Sequence, residues 1–130
     1  MKSRDTLIRL KRFQVDEKRR RVAQIEAMIA EFVRMAADLD REILAEEQRA
    51  GISDPSHFAY PTYARAARTR RDNLKNSTAE LRGQLEDAKI HLEEAIAEHA
   101  KVQTLDGREK SLVESVREPF QLQSLGIARA

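Results

Sequence analysis

The sequence predicts an all-α fold, a long antiparallel two-helix coiled-coil hairpin, and three observations carry that expectation. Apolar residues recur at unbroken seven-residue intervals in two separate series. Helix-breaking residues are concentrated in one short stretch between the series. The charges of the two series are complementary when the second runs back along the first. The chain of 130 residues reads as a single coiled-coil domain, residues 1–130.

The first helix is expected from about residue 3 to about residue 50. Ile8, Val15, Val22, Ile29, Ala36 and Ile43 fall seven apart, and Ile25, Phe32 and Leu39 follow three of them at a spacing of three, which is a coiled-coil seam. No proline or glycine interrupts residues 1–50, and Gly51 stands where a glycine cap ends a helix. At a rise of 1.5 Å per residue such a helix is roughly 70 Å long.

The connector, about residues 51–61, opens the stretch GISDPSHFAYPTY (51–63), which holds two of the three prolines, three of the six aromatic residues and one of the three histidines. Its simplest reading is a turn. Asp54 caps a short helical turn starting at Pro55, and Pro61 suits the first turn of the next helix because its missing N–H is needed by no partner there. His57, Phe58, Tyr60 and Tyr63 are expected to form a small apolar plug where the helices separate. A binding role for this stretch is the competing reading, since turns on rigid scaffolds often carry function.

The second helix is expected over about residues 62–118. Ala67, Leu74, Leu81, Ala88, Ala95 and Val102 repeat every seventh residue, with Thr78, Leu85, Leu92 and His99 on the alternate seam positions. Gly83 falls on the outer face, where it weakens only local propensity, by about 1 kcal/mol. Glu118 and Pro119 are the expected stop, because proline clashes with the helical geometry of its predecessor. Residues 119–130 are then a tail, whose Phe120, Leu122, Leu125 and Ile127 are able to dock as a short helix.

A connector of about ten residues permits only antiparallel packing, and charge agrees. Residues 1–21 carry nine Lys/Arg against three Asp/Glu and face roughly residues 90–110, with three against five. Residues 22–50 carry three basic against seven acidic residues and face residues 61–89, with seven against four. Flanking charges of this kind help set orientation, although each exposed pair contributes less than about 1 kcal/mol.

Composition narrows the function classes. The chain is 35% charged, 5% aromatic and 41% apolar, too poor in bulky groups for a globular core and too apolar for disorder. It has no cysteine, which excludes disulfides and thiolate metal sites. The N-terminus lacks the apolar run of a signal peptide, and no stretch approaches a membrane span, so the expectation is a soluble, cytoplasmic protein. A two-helix hairpin offers no concave pocket, and His57, His91 and His99 lack the spacing of a helical metal motif. The chain is therefore read as no enzyme, with no catalytic residue, metal, cofactor or small-molecule substrate.

Three features invite binding roles. The block KRFQVDEKRRR (11–21) concentrates cations on one helix, the footprint of a nucleic-acid-binding arm, but stacking aromatics are scarce and the net charge is only +2. His99, Lys11, Lys18, Asp106 and Glu109 occupy seam positions, which either fix register or leave that end loosely zipped for a partner. Met28, Met35, Ile96, Leu105 and Leu112 flank the seam and Ile90 points away from it, an apolar surplus that fits a broad seam, weak self-association or a protein-binding face.

The opening LIRLKRFQVDEKRRR together with the connector and second-helix start GISDPSHFAYPTYARAARTRRDNLKNS resembles the flagellar export protein FliJ family of alphaproteobacteria, from helix 1 to about residue 100. The most specific part is the connector with RRDNL. The resemblance implies a cytoplasmic component of the flagellar type III protein export apparatus, associated with the basal body. Such a stalk and adaptor binds the hexameric export ATPase and links it to the membrane export gate and to export chaperones. It further implies ATPase-binding candidates Arg4, Arg9, Lys11, Arg12, Lys18, Arg19, Arg20 and Arg21 at the end holding both termini. For the gate it points to Phe58, Tyr60, Tyr63, Arg68, Arg70, Arg71, Asp72 and Asn73. The chain itself is expected to be monomeric or weakly self-associating, and the alternative function is a nucleic-acid-binding coiled-coil arm.

Overall fold

In the computed structural model the backbone is described for residues 2–129 and the side chains for residues 3–116. Two helices, α1 (Lys2–Ala50) and α2 (Thr62–Arg129), pack against each other as an all-α hairpin, with no strand among the described residues. The chain forms two compact units, one of Met1–Lys18 with His91–Ala130 and one of Arg19–Ile90.

The unit of Arg19–Ile90 holds the larger apolar seam. Ile25, only 1% exposed, packs with Leu81 and Ala88, and Val22, Ile29, Phe32 and Leu85 close around them. Towards the connector Leu39 and Ile43 pack with Ala67 and Leu74. Large side chains thus meet alanines across the interface, which lets the two helices approach closely. Burying a residue such as Ile25 contributes about 2 kcal/mol. The direction of pairing is fixed by cross-helix contacts: Asp40 meets Arg71 and Glu42 meets Tyr63, so numbers fall on α2 as they rise on α1.

In the unit of Met1–Lys18 with His91–Ala130 the same antiparallel sense holds, with Arg4 paired to Glu109 and Lys11 to Glu98. Its apolar seam is thinner. Val15 and Ala95 are buried, whereas Leu7, Leu10, Phe13, Leu105 and Leu112 are exposed.

The turn is built by local chemistry. Gly51 adopts φ 73°, and its N–H and that of Ile52 both reach the Glu47 carbonyl at 2.9 and 3.2 Å, closing the end of α1. The Asp54 carboxylate accepts from the Ser56 N–H at 3.0 Å and the Ser56 hydroxyl at 2.8 Å. The His57 N–H donates to the Asp54 carbonyl and the Tyr60 N–H to the His57 carbonyl, both at 3.1 Å, so Pro55 opens a short turn as expected. The Arg65 N–H donates to the Pro61 carbonyl at 3.0 Å, which makes Pro61 the cap of α2 and Thr62 its first helical residue.

Two expectations are corrected. The aromatic plug does not form: Tyr60 is buried, but Phe58 is 95% exposed, His57 is exposed and Tyr63 is half out. A tight turn capped at both ends has little interior, and a single ring fills it. The helix stop at Glu118–Pro119 is not where α2 ends, since helical backbone is assigned to Arg129. Proline removes one N–H and strains one preceding carbonyl without abolishing the bonds beyond it. The side chains of the expected tail, 119–130, lie outside the described residues.

Candidate functional site

The N-terminal cations divide into those the fold consumes and those it leaves outward. Arg4 pairs with Glu109, and the Lys11 ammonium donates to Glu98 at 2.8 Å across the helices. That bond, with the Lys11 charge, holds the Glu98 carboxyl below its ordinary range. Arg9, Arg12 and Lys18 are exposed. Lys18 borders a shallow groove of about 340 Å³ with Gln14, His91, Glu94, Ala95 and Glu98. Arg19, Arg20 and Arg21 open the other unit, also exposed.

Around the connector the expected residues separate into structural and outward-facing groups. Tyr60 is buried under the Arg65 guanidinium, which lies 5.5 Å from its ring centroid, and its hydroxyl has no hydrogen-bond partner among the described residues. The Tyr63 hydroxyl donates to Glu42 at 2.9 Å, and that carboxylate pushes the phenol above its ordinary value. Phe58 projects, stacked on the His57 ring with centroids 4.8 Å apart. His57 Nδ1 is fixed as an acceptor by the Ala59 N–H at 3.0 Å. Arg70 and Asn73 are exposed and line a shallow groove with Phe32, Met35, Leu74 and Ser77, while Arg68 is half-buried.

Arg71 is the residue whose role the spacing of the sequence leaves hidden. It and Ala64 lie seven and fourteen residues before Thr78, so the seam series begins earlier than at Thr78. Ala64 is fully buried, and the Arg71 side chain is 17% exposed. Its guanidinium spans Asp40 at 3.0 Å and Asp72 at 3.1 and 3.2 Å; the bond to Asp40 and the neighbouring carboxylates hold its pKa above the ordinary arginine value. An arginine at a seam position looks like an outward cation until its cross-helix acid is identified. Thr78, the next member, is buried and donates its hydroxyl to the Leu74 carbonyl at 2.8 Å, so both polar seam residues have hydrogen-bond partners.

Among the described residues no group of three or more His, Cys, Asp or Glu side chains converges to hold a metal, and no helix is long and apolar enough to cross a membrane. What the surface offers is exposed cations on α1, one projecting ring at the turn and open furrows between the helices. These features suit macromolecular contact.

Compared with known proteins, the chain matches no family model, no curated protein and no solved structure.

Proposed function

We propose that this chain is a coiled-coil adaptor of the flagellar type III protein export apparatus, binding the hexameric export ATPase and connecting it to the export gate and to chaperones. One observation carries the reading: in a hairpin whose seam uses Arg4, Lys11 and Arg71 internally, Arg9, Arg12, Lys18, Arg19 and Arg21 remain exposed on α1. A helix that carries many exposed cations is steered towards an acidic protein surface before contact, which raises the rate of encounter. The projecting Phe58, with Tyr63, Arg70 and Asn73, supplies a second contact region of different chemistry, suited to the gate.

The test is capture from an extract of flagellated cells with identification of the retained proteins, followed by assay of the export ATPase. Recovery of the ATPase and stimulation of its turnover, both lost in the Arg19→Ala, Arg20→Ala, Arg21→Ala triple variant, is the expected result. Salt-dependent retention of DNA or RNA without any export component would replace this reading by the nucleic-acid-binding arm.

A further inference from the structure

On the unit of Arg19–Ile90 one edge of the hairpin is open along a furrow of about 470 Å³, lined by Val33, Ala36, Ala37 and Asp40 of α1 and by Lys75 and Arg82 of α2. A separate groove with Met35, Arg70 and Ser77 marks the other edge, so the residues around the furrow share one face. Steps of seven keep a coiled-coil residue on its face and extend both rims. On α1 the rim reads Glu26, Val33, Asp40 and Glu47; on α2 it reads Arg68, Lys75 and Arg82. One rim is acidic and the other basic, yet the hairpin spends little of either. Asp40 is held by Arg71, and Glu26, Glu47, Arg68, Lys75 and Arg82 form no ion pair among the described residues. Apolar groups lie between and beside these charges, with Val33 46% and Leu44 57% exposed.

The two rims select their occupant. A partner must bring a basic row against α1 and an acidic row against α2, one helix width apart and at matching heights. The same face of a second hairpin does this when the two-fold axis runs parallel to the helices. Each α1 then lies against the other copy's α2, antiparallel and at the height the two already share within one hairpin. The bond of Asp40 to Arg71 and the packing of Ile25 with Leu81 and Ala88 set that height, so Glu26 stands about level with Arg82, and Asp40 between Arg68 and Lys75. An axis perpendicular to the helices would set α1 against α1 and α2 against α2, acid on acid and base on base, and charge excludes it. Arg19 stands about level with Lys89, both basic, which ends the contact at Glu26 and Arg82. The face from Glu26 to Glu47 is about 32 Å long and about 20 Å across. That is roughly 600 Å² per copy, below the ~800 Å² of a standard interface, and it fits a weak, reversible dimer.

We infer that this face docks a second copy of the same chain, giving a four-helix bundle whose two-fold axis runs along the helices, with Val33 of each copy over the other's furrow and Glu26 paired to Arg82 across the interface. The inference goes beyond the functional proposal and does not depend on it.

Sedimentation equilibrium of the full chain, over a series reaching about 0.5 mM, tests it. The expected result is reversible dimerisation. Val33→Glu, at an exposed position, is expected to weaken it by at least about tenfold, since two apolar contacts are lost and two acids are added beside an acidic rim. Glu26→Arg or Arg82→Glu alone is expected to weaken it by about tenfold, and the double exchange to restore it. The chain has no cysteine, so a nitroxide on Ser56→Cys reports the axis. With the axis along the helices both turns lie together and the labels are less than about 35 Å apart; the perpendicular axis separates them by about 50 Å or more. A chain that stays monomeric throughout, leaving the face to a helix of another protein, overturns the inference. So does a dimer indifferent to Val33→Glu, one that the double exchange fails to rescue, or one whose turns lie far apart.

Discussion

Single residues set the turn, and their chemistry makes it both steric and pH-sensitive. Gly51 has open space where a Cβ would stand, yet its φ of 73° belongs to the left-handed region. Gly51→Ala is therefore expected to destabilise the hairpin by about 1 kcal/mol through the backbone alone, read as a lowered urea midpoint with unchanged slope. Asp54 acts through charge: the Ser56 N–H and hydroxyl favour its ionised form and draw its pKa below the ordinary 3.8. Because the folded value lies below the unfolded one, this contribution is present above pH 3.8 and is lost as pH falls through the lowered value. Glu98 beside Lys11 behaves with the same sign from its ordinary 4.5. Acid titration followed by circular dichroism is expected to show a smaller loss of stability as pH falls below 3.8 in Asp54→Asn than in the parent, since asparagine keeps the turn's acceptor without titrating.

At the scale of the helices, the seam was legible in the sequence because period alone decides which side chain faces inward. Val15, Ile25, Ala36, Leu39, Ile43, Ala67, Leu81, Ala88 and Ala95 are all buried, and Ile90 is exposed, as the spacing predicts. The contrast gives a direct measurement. Ile25→Ala is expected to lower stability by about 2–4 kcal/mol, and Ile90→Ala by less than about 0.5 kcal/mol, in denaturant unfolding at concentrations where the chain is monomeric. What the spacing hid was identity at the periphery. Arg71 sits on a seam position that its charge disguises, and its environment depends on Asp40, thirty-one residues away in sequence. The aromatic residues at the turn were visible as a cluster, but whether each ring points in or out depends on the turn geometry, and only Tyr60 turns inward. The cationic candidates were likewise legible as a cluster, while the division between paired Arg4 and Lys11 and exposed Arg9, Arg12 and Lys18 required the facing acids.

For the whole molecule, the two units differ in what their seams are made of, and that difference predicts where the chain opens first. The unit of Arg19–Ile90 closes on Val22, Ile25, Ile29, Phe32, Leu81, Leu85 and Ala88. The unit of Met1–Lys18 with His91–Ala130 instead places Lys11, His99 and Asp106 along its seam, the His99 Nε2 buried with no hydrogen-bond partner among the described residues and Asp106 paired with Lys110 at 3.0 Å. Polar seam positions sacrifice stability, and an unsatisfied buried nitrogen adds a desolvation penalty of about 1–3 kcal/mol. Amide hydrogen exchange is therefore expected to be slowest at Ile25–Phe32 and Leu81–Ala88, with protection lower by at least about tenfold over residues 8–15 and 95–106. Replacing His99 with leucine removes the orphaned nitrogen and extends the apolar seam, so His99→Leu is expected to raise the thermal midpoint and to slow exchange at residues 8–15 specifically. If the chain is the proposed export adaptor and grips its ATPase by repacking this polar seam, the same variant binds that ATPase more weakly while being the more stable protein. Equal or tighter binding by His99→Leu would instead place recognition on the exposed cations alone, because a seam that stays closed leaves those side chains unchanged.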